Sequence, residues 1–341
     1  MRAVAVLGGG HGALATAGDL GRRGFEVRLA LRNRPRFAEL FETGRLAVTG
    51  AAGDGVAELA LVTDDPATAA RGAELVLIPL PAFAQEAMAE RLAGAVTDAA
   101  LIALLPGNLG SQVMKHRLPH AVFAETATLP YGARQRGEAG VALSLVAAHN
   151  PTGVYPSSET DDAVELLREV YPAVLPVENV LSAALLNSNA ALHTPLVVMN
   201  AGAIEREGAF DIHVEGTTPG IKRVIAGLDE ERMALRHALG YTTADWPLMD
   251  YYADRDWFYG PGAFSRVQAN SVWREELDFE HRYIAEDVSC GLALWASAGR
   301  FTQTPTPLTD SFLRVVSTLT GVDHYATGRT LEHLGLDPRS L

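Results

Sequence analysis

The sequence predicts an α/β amino-terminal domain with a doubly wound sheet, followed by an all-α carboxyl-terminal domain. Short apolar runs alternate with helix-like runs through the first 150 residues or so. After about residue 175 they give way to long segments with helical periodicity. Continuously apolar strands separated by helices indicate a parallel sheet that is covered on both faces. We therefore place the first domain over residues 1–175 and the helical domain over residues 176–341.

The strands and helices of the first domain follow each other in order. The strand-like runs are AVAVLG, EVRLAL, LVLIPL, ALIALLPG, AVFAET and VALSLVAAH. The helix-like runs after the first four are ALATAGDLGRRG, PRFAELFET, AFAQEAMAERLAG and SQVMKHRL. A further helix, DDAVELLREVYP, follows the turn-rich segment HNPTGVYPSSET. This alternation is typical of βα units.

Five long segments predict the helices of the second domain. Thr218 and Pro219 form a suitable N-cap and N1 pair for the third of these. The segments are VLSAALLNSNAALH, LVVMNAGAIERE, GIKRVIAGLDEERMALRHALG, EDVSCGLALWASAG and LTDSFLRVVSTLTG.

Composition narrows the classes of function. The chain has 341 residues and a formal net charge of −13, which argues against a nucleic-acid partner. No apolar run reaches the roughly 20 residues that a membrane-spanning helix needs. Cys290 is the only cysteine, so no intrachain disulfide can form, and we expect it to be a small core residue. These features predict a cytoplasmic protein with no nucleic-acid or membrane partner. We expect no metal site, and a homodimer stays open.

A glycine-rich loop follows the first strand-like run. Gly8, Gly10 and Ala13 fit the pattern G-x-G-x-x-A between a strand and a helix. In this pattern the first glycine permits a tight turn, the second lets a pyrophosphate approach, and the small third residue packs helix on strand. We expect a dinucleotide here and interpret His11 as a loop residue, not as a catalyst. The predicted cofactor-binding residues of this region are Gly8, Gly10, His11, Gly12, Ala13 and Pro79.

The second strand-like run favours one dinucleotide. EVRLAL ends without the acidic residue that binds the ribose hydroxyls of NAD, and RNRP follows it. Arg32 and Arg34 are suited to a 2′-phosphate, which favours NADP (NADPH) and leaves NAD as the alternative. Both arginines could equally cap a solvated turn.

Polar residues of the second domain form a candidate catalytic group. Asn189 and His193 are four residues apart in NSNAALHTP, so they share a helical face. Pro195 predicts that the helix ends or bends around His193, where a helix carboxyl end favours the imidazolium. Arg282 offers a planar fork for a carboxylate, and Asp287 opens an apolar helical run. Taken singly, His193 reads as a core residue and Asp287 as a helix cap.

Taken together, the motifs resemble the opine dehydrogenases, the octopine and nopaline dehydrogenase family. They run in the family's order over nearly the whole chain: AVLGGGHGA, LLNSNAALHTP, VEGTTPGI, RYIAEDVSCGL, TPTPLTDSF and GRTLEHLGL. The carboxyl-terminal motifs carry the resemblance, since the glycine loop is shared with many other families.

The resemblance implies reductive condensation of an amino acid with a 2-oxo acid, with NADH or NADPH as hydride donor. It implies a Rossmann domain, an all-helical domain and an active site between them. The family's catalytic histidine falls on His193, its aspartate partner on Asp287 and its substrate-binding arginine on Arg282. Asn189 is a further candidate for orienting substrate. The chain departs from the family at Thr194, which separates the histidine from Pro195, and at RNRP.

Two other functions stay open at this point. The first is reduction of a 2-oxo acid by a ketopantoate-reductase-like enzyme, for which Lys222 is the only candidate lysine in the second domain. The second is a non-catalytic redox sensor that binds NADP(H). The aromatic stretch GYTTADWPLMDYYADRDWFYG predicts either a pocket for the amino-acid side chain or a cover for the helical core. Its rings are those of Trp246, Tyr251, Tyr252, Trp257, Phe258 and Tyr259.

Overall fold

The computed structural model of the chain describes residues 3–97, 100–207, 209–269 and 274–341. The chain divides into two compact units, Met1–Val180 and Leu181–Leu341. The first unit is built mainly on a sheet, and the second is built mainly on helices. The predicted fold class is therefore confirmed.

Twelve strands and six helices are described in the first unit. The strands are β1 (Ala3–Leu7), β2 (Glu26–Ala30), β3 (Arg45–Gly50), β4 (Gly55–Glu58), β5 (Leu61–Thr63), β6 (Leu75–Ile78), β7 (Leu101–Leu104), β8 (Val122–Thr126), β9 (Tyr131–Gln135), β10 (Gly140–Val146), β11 (Asn150–Tyr155) and β12 (Val174–Pro176). The helices are α1 (His11–Arg22), α2 (Ala38–Thr43), α3 (Pro66–Ala70), α4 (Gln85–Leu92), α5 (Gly110–Met114) and α6 (Thr160–Val170).

The main sheet has eight strands in the order β12-β11-β8-β7-β6-β1-β2-β5. The six strands from β8 to β5 are mutually parallel, whereas β11 is antiparallel to β8. One apolar cluster packs on each face, which explains why β6 and β7 are apolar at every position. The strand order reverses direction between β1 and β6, and ligands of doubly wound sheets bind at such a switch point.

A second sheet of four strands, in the order β4-β3-β10-β9, covers α1. The predicted strand VALSLVAAH belongs to this sheet as β10. A Cβ added at Gly18 of α1 would lie only 2.6 Å from Cγ2 of Val48, so glycine allows the close approach of helix and sheet. The sequence analysis did not predict this sheet, because β3 is buried only at alternate positions and gives a weak apolar signal.

The second unit contains the remaining helices and one short ribbon among its described residues. A single π-helical turn, Asp287–Leu292, joins two of the helices into one longer helix. The helices are α7 (Val180–Leu186, starting at the unit boundary), α8 (Asn189–Val198), α9 (Ala201–Glu207), α10 (Pro219–Ala238), α11 (Leu248–Tyr252), α12 (Ala263–Gln268), α13 (Arg282–Glu286), α14 (Ala293–Thr302), α15 (Pro307–Thr320) and α16 (His324–Thr327). The ribbon pairs β13 (Ala209–Phe210) with β14 (Glu275–Glu276).

Helix α10 begins as its sequence predicts and then buries charge. The Thr218 hydroxyl accepts a hydrogen bond from the Ile221 N–H, and Pro219 takes the first helical position. Arg232 and Arg236 are fully buried. Their guanidinium groups bind Asp229, Asp245 and several backbone carbonyls, so these buried charges are paired. Among the described residues, no helix is both long and apolar enough to cross a membrane.

Candidate active site

The glycine loop lies at the carboxyl end of β1, beside the switch point of the main sheet. Gly8 has a φ of +146°, which side chains rarely adopt, and a Cβ there would meet Cδ2 of Leu80 at 3.0 Å. A Cβ at Gly12 would lie 3.6 Å from Cβ of Pro79, so the predicted residue Pro79 borders the loop. Ala13 is fully buried between helix and strand. The turn and the packing therefore explain three of the small residues.

Gly10 is different, because the packing of the chain does not require glycine there. A Cβ at Gly10 would meet no other described atom within 4 Å. Gly10 is the N-cap of α1, and the described residues place neither a side-chain cap nor an acidic first-turn residue there. The first N–H groups of a helix lack intrahelical partners and attract anions. These features fit a dinucleotide pyrophosphate at this helix end.

His11 is the first residue of α1 and serves a structural contact. Its Nδ1 atom accepts a hydrogen bond from the backbone N–H of Gln135 at 2.9 Å. This bond ties the start of α1 to β9 of the second sheet, so His11 is a helix residue and not the loop residue that the sequence suggested.

Arg32 and Arg34 follow β2 at the same end of the sheet, and both are exposed. Nη1 of Arg34 lies 3.9 Å from Oδ2 of Asp64, with the Arg34 side chain 64% exposed. Its guanidinium also lies over the ring of Phe41. An ion pair this exposed is weak, so Arg34 can exchange Asp64 for a phosphate at little cost. Asp64 nevertheless brings a carboxylate to this edge that the sequence analysis did not include.

A third loop at the carboxyl end of the sheet follows β7. The buried Glu125 carboxylate accepts hydrogen bonds from the N–H groups of Leu109 at 2.7 Å and Ser111 at 2.8 Å. Asn108 and Leu109 both have positive φ values, 52° and 61°. This loop is held by a buried carboxylate, and no local signal in the sequence indicates it.

His193 and Asp287 form a buried pair in the helical unit. Nδ1 of His193 lies 2.7 Å from Oδ2 of Asp287, and each side chain is only 9% exposed. The two residues are 94 positions apart in the chain, so the fold brings them together. Since Asp287 occupies Nδ1, a proton exchanged with another molecule must be carried on Nε2.

Burial raises the pKa of the Asp287 carboxyl to about 7, and the positive charges of Arg282 and His281 oppose that rise. Around neutral pH the Asp287 carboxyl therefore takes up or releases a proton readily. Groups that titrate near the working pH suit general acid–base catalysis.

The helix that carries His193 differs from the prediction. VLSAALLNSNAALH forms two helices, α7 and α8, which are separated at Asn187 and Ser188. His193 lies in the middle of α8, and the helix continues through Pro195 to Val198. The prediction that the helix ends around His193 is therefore wrong, and no helix carboxyl end lies at His193 to favour its imidazolium. Buried neighbours hold the helix together although Pro195 lacks an N–H.

Asp287 is not the helix cap that the sequence suggested as an alternative. It begins the π-helical turn between α13 and α14. Such turns are rare and frequently occur at functional sites. Within the turn, a Cβ added at Gly291 would lie 2.6 Å from Cβ of Ala190. Glycine therefore lets the turn approach α8 closely and bring Asp287 to His193.

Two aromatic residues that the sequence analysis missed surround the His193 ring. The Tyr283 ring stacks on it, with 3.9 Å between centroids and an angle of 28°. The ring of His213 lies 5.7 Å away at 75°. The spacing of four residues between Tyr283 and Asp287 could have indicated a shared helix face. His213 gives no such local signal, because the tertiary fold alone brings it to His193.

The other two candidates lie on the same helices. Arg282 is the first residue of α13; it is exposed, and its guanidinium lies 5.1 Å from the Tyr283 ring centroid. Asn189 is the half-buried first residue of α8, one turn before His193. The structure thus groups His193, Asp287, Tyr283 and Arg282.

The aromatic stretch mainly builds core. Tyr251, Trp257 and Phe258 are buried and pack against one another. The ammonium of Lys222 lies 4.7 Å from the Tyr252 ring and 4.5 Å from the Phe264 ring. Lys222 thus has aromatic neighbours that hold its charge in place.

Cys290 lies in the π-helical turn. Burial raises the pKa of its thiol to about 11, which keeps it protonated and unreactive at neutral pH.

Comparison with known proteins finds similarity to opine dehydrogenases over the helical unit and over the whole chain. Residues 176–320 match the family described as NAD/NADP octopine/nopaline dehydrogenase, alpha-helical domain. The chain is 29% identical over 344 residues to the opine dehydrogenase of Arthrobacter sp. (strain 1C), covering 97% of this chain and 94% of that protein.

Solved structures share the fold at low sequence identity. An octopine dehydrogenase in complex with NADH and agmatine superimposes with a TM-score of 0.75 at 19% identity, covering 98% of this chain and 96% of that one. A yersinopine dehydrogenase with NADP+ bound has a TM-score of 0.69 at 15% identity, covering 100% and 95%. A PanE/ApbA family ketopantoate reductase from Ralstonia eutropha JMP134 has a TM-score of 0.64 at 19% identity, covering 96% and 99%.

Proposed function

We propose that this chain, which is similar to the octopine/nopaline dehydrogenase family of NAD(P)-dependent oxidoreductases, condenses an amino acid reductively with a 2-oxo acid. The amine and the oxo group lose water to give an imine. A hydride and a proton then reduce the imine to a secondary amine, while NADPH becomes NADP+. The observation that carries this proposal is the buried His193–Asp287 pair on helices that match the family.

His193 supplies the proton chemistry in this proposal. Its Nε2 atom gives a proton to the reacting group, and Asp287 at Nδ1 fixes the tautomer and stabilises the imidazolium. Stacking on Tyr283 keeps the ring in one plane, so that Nε2 keeps its direction through the cycle. A positioned acid–base group of this kind typically contributes 10²–10⁴-fold to the rate.

Arg282 binds the carboxylate of the 2-oxo acid. Its guanidinium fork matches a carboxylate in two parallel hydrogen bonds, and its exposure leaves it accessible to a small molecule. Two bonds fix the orientation of the oxo carbon, and such positioning is worth several kcal/mol of the barrier. Asn189, one turn from His193, orients the second substrate.

NADPH is the cofactor that we favour, with NADH as the alternative. The glycine loop and the start of α1 hold the pyrophosphate, while Arg32 and Arg34 bind the 2′-phosphate. When bound, the cofactor supplies the hydride from its nicotinamide ring. The exposed arginines after β2 support this preference, whereas Asp64 opposes it.

A ketopantoate-reductase-like reaction is the second candidate, because an enzyme of that family has a similar fold. That reaction needs only the 2-oxo acid and no amine. Its candidate residue Lys222 lies beside two aromatic rings, and no carboxylate of the described residues pairs with it as Asp287 pairs with His193.

Oxidation of NADPH, measured with amino acids crossed against pyruvate, glyoxylate and 2-oxoglutarate, separates the candidates. We expect absorbance at the nicotinamide band to fall only when an amine and an oxo acid are both present. A fall in absorbance with the oxo acid alone would favour the ketopantoate-reductase-like reaction. Inactivity of the whole panel would favour a redox sensor.

A further inference from the structure

A turn of the helical unit, Asp211–Gly216, has no part in the function proposed so far. It holds His213, which is only 7% exposed. The Asp211 carboxylate accepts hydrogen bonds from the N–H groups of His213 and Val214, both at 3.0 Å. These bonds fix the backbone on which the imidazole of His213 stands.

The same turn is fastened to the helix that carries His193. The Asn200 side-chain amide, just after the end of α8, donates hydrogen bonds to the carbonyls of Leu196 at 2.7 Å and Gly216 at 3.2 Å. A Cβ at Gly216 would lie 2.8 Å from that amide nitrogen, so glycine permits the bond. The position of His213 relative to His193 is thus set by α8 itself.

The ring geometry places His213 at an edge of the His193 ring. The centroids of His193, Tyr283 and His213 are separated by 3.9, 5.7 and 6.4 Å, the last between His213 and Tyr283. If His213 lay against the face of the His193 ring opposite Tyr283, the distance between the His213 and Tyr283 centroids would be nearly the sum of the other two distances. The observed distance is much shorter. Tyr283 therefore covers a face of His193, and His213 lies beside an edge.

Other ionisable groups lie near both rings. The Asp211 carboxylate accepts a hydrogen bond from the backbone N–H of His213, and the rings of His193 and Tyr283 lie 5.7 Å and 6.4 Å from the His213 ring. The Asp287 carboxyl lies at Nδ1 of His193, where the positive charges of Arg282 and His281 act on it. Like charges this close disfavour each other, so one ring tends to stay neutral while the other is protonated.

We propose that His213 is a positioning residue of the reaction, which fixes the His193 ring from its edge and competes with it for the proton. The part of this inference that concerns turnover rests on the proposed function. Its electrostatic part concerns only the two rings and can be measured without any substrate.

The test follows the His193 ring by NMR during a pH titration, with its signals assigned from a His193→Gln variant. In the parent protein we expect an inflection from His213 in addition to the titration of the His193–Asp287 pair, because protonation of His213 is felt at His193. In His213→Gln that additional inflection should disappear, and the His193 midpoint should rise by about 1 pH unit. The matched control His237→Gln removes an exposed histidine that pairs with Asp245, and it should leave the His193 curve unchanged.

Turnover gives the second readout. His213→Gln should lower kcat about tenfold and move its pH profile with the His193 midpoint, while KM for NADPH stays unchanged. The same inflections in parent and variant, or equal His193 midpoints in the two proteins, would overturn the inference. If His213→Gln loses its circular dichroism signal, the parent titration still decides, because the His193 signals must then show an inflection at the midpoint of the His213 ring's own signals. A parent protein that oxidises no NADPH but shows the His213 inflection at His193 refutes the proposed function and leaves the ring coupling standing.

Discussion

The two units use different parts of the chain to make their candidate sites. At the glycine loop the Met1–Val180 unit offers backbone N–H groups and glycines, on a sheet with an aliphatic core. The Leu181–Leu341 unit instead offers buried side chains, among them His193, His213 and Asp287. The first arrangement depends on the path of the backbone, and the second depends on exact pairings between distant helices. We therefore expect substitutions in the first unit to change the affinity for the cofactor, and substitutions in the second unit to change the reaction of the substrate.

The largest expected effect tests the helical side of the comparison. His193→Ala removes the proton carrier and should lower kcat by about 10²–10⁴-fold. The affinity for NADPH, measured by fluorescence titration, should stay within about twofold of the parent value. His237→Ala is the matched control and should keep the parent kcat. An unchanged kcat in His193→Ala would show that His193 is not the proton carrier.

The next effect concerns substrate binding in the same unit. Arg282→Ala loses a bidentate carboxylate partner, so KM for the 2-oxo acid should rise about 10- to 100-fold. KM for NADPH should stay at the parent value. Arg255→Ala, which removes an arginine paired on the surface with Asp250, serves as control. If KM for the oxo acid stays at the parent value, another group binds the carboxylate.

The cofactor-binding unit is tested by a double substitution. Arg32→Ala with Arg34→Ala should raise the Kd of NADPH about tenfold, since charge-assisted bonds to the 2′-phosphate are lost. The Kd of NADH should hardly change. Arg117→Ala, at an exposed ion pair with Glu90, controls for the loss of surface charge. Equal losses for both dinucleotides would contradict the preference for NADP.

Two glycines of the loop test separately whether glycine is needed for packing of the chain or for the approach of the ligand. Gly10→Ala should leave the melting temperature unchanged, because its Cβ meets no other described atom within 4 Å, yet weaken NADPH binding about tenfold. Gly8→Ala should destabilise the fold by about 1–3 kcal/mol, because alanine is strained at its positive φ. Calorimetry and cofactor titration on both variants measure this. Loss of stability in Gly10→Ala without loss of affinity would reverse the interpretation.

The smallest effect is a pH dependence of stability. The pKa of the Asp287 carboxyl is about 7 in the folded chain, against 3.8 for the unperturbed group. Folding therefore takes up a proton between these values, and the folded state loses stability as pH rises through that window. Asp287→Asn removes the penalty, so its stability relative to the parent should grow by about 1–3 kcal/mol from pH 4 to pH 7. Urea unfolding at both pH values measures the difference; a constant difference would show that burial of this carboxyl is not costly.

How far the sequence predicts each unit follows from the same contrast. The strand-loop-helix start of the chain is local, so AVAVLGGGHGALA predicts β1, the loop and α1. His193 and Asp287 are 94 residues apart, and only the family resemblance links them before the fold is known. The π-helical turn, the mid-helix position of His193 and the approach of His213 result from tertiary packing, which outweighs the local signal of Pro195. The second sheet was missed because its strand β3 is buried at alternate positions only.

The central claim is that hydride and proton meet on an imine formed from an amino acid and a 2-oxo acid. Reaction with NADPH deuterated at C4, followed by mass spectrometry of the product, tests it directly. The account predicts a secondary amine that carries one deuterium on the carbon that was the oxo carbon, and no product without the amine. Deuterium found instead in a 2-hydroxy acid would contradict it.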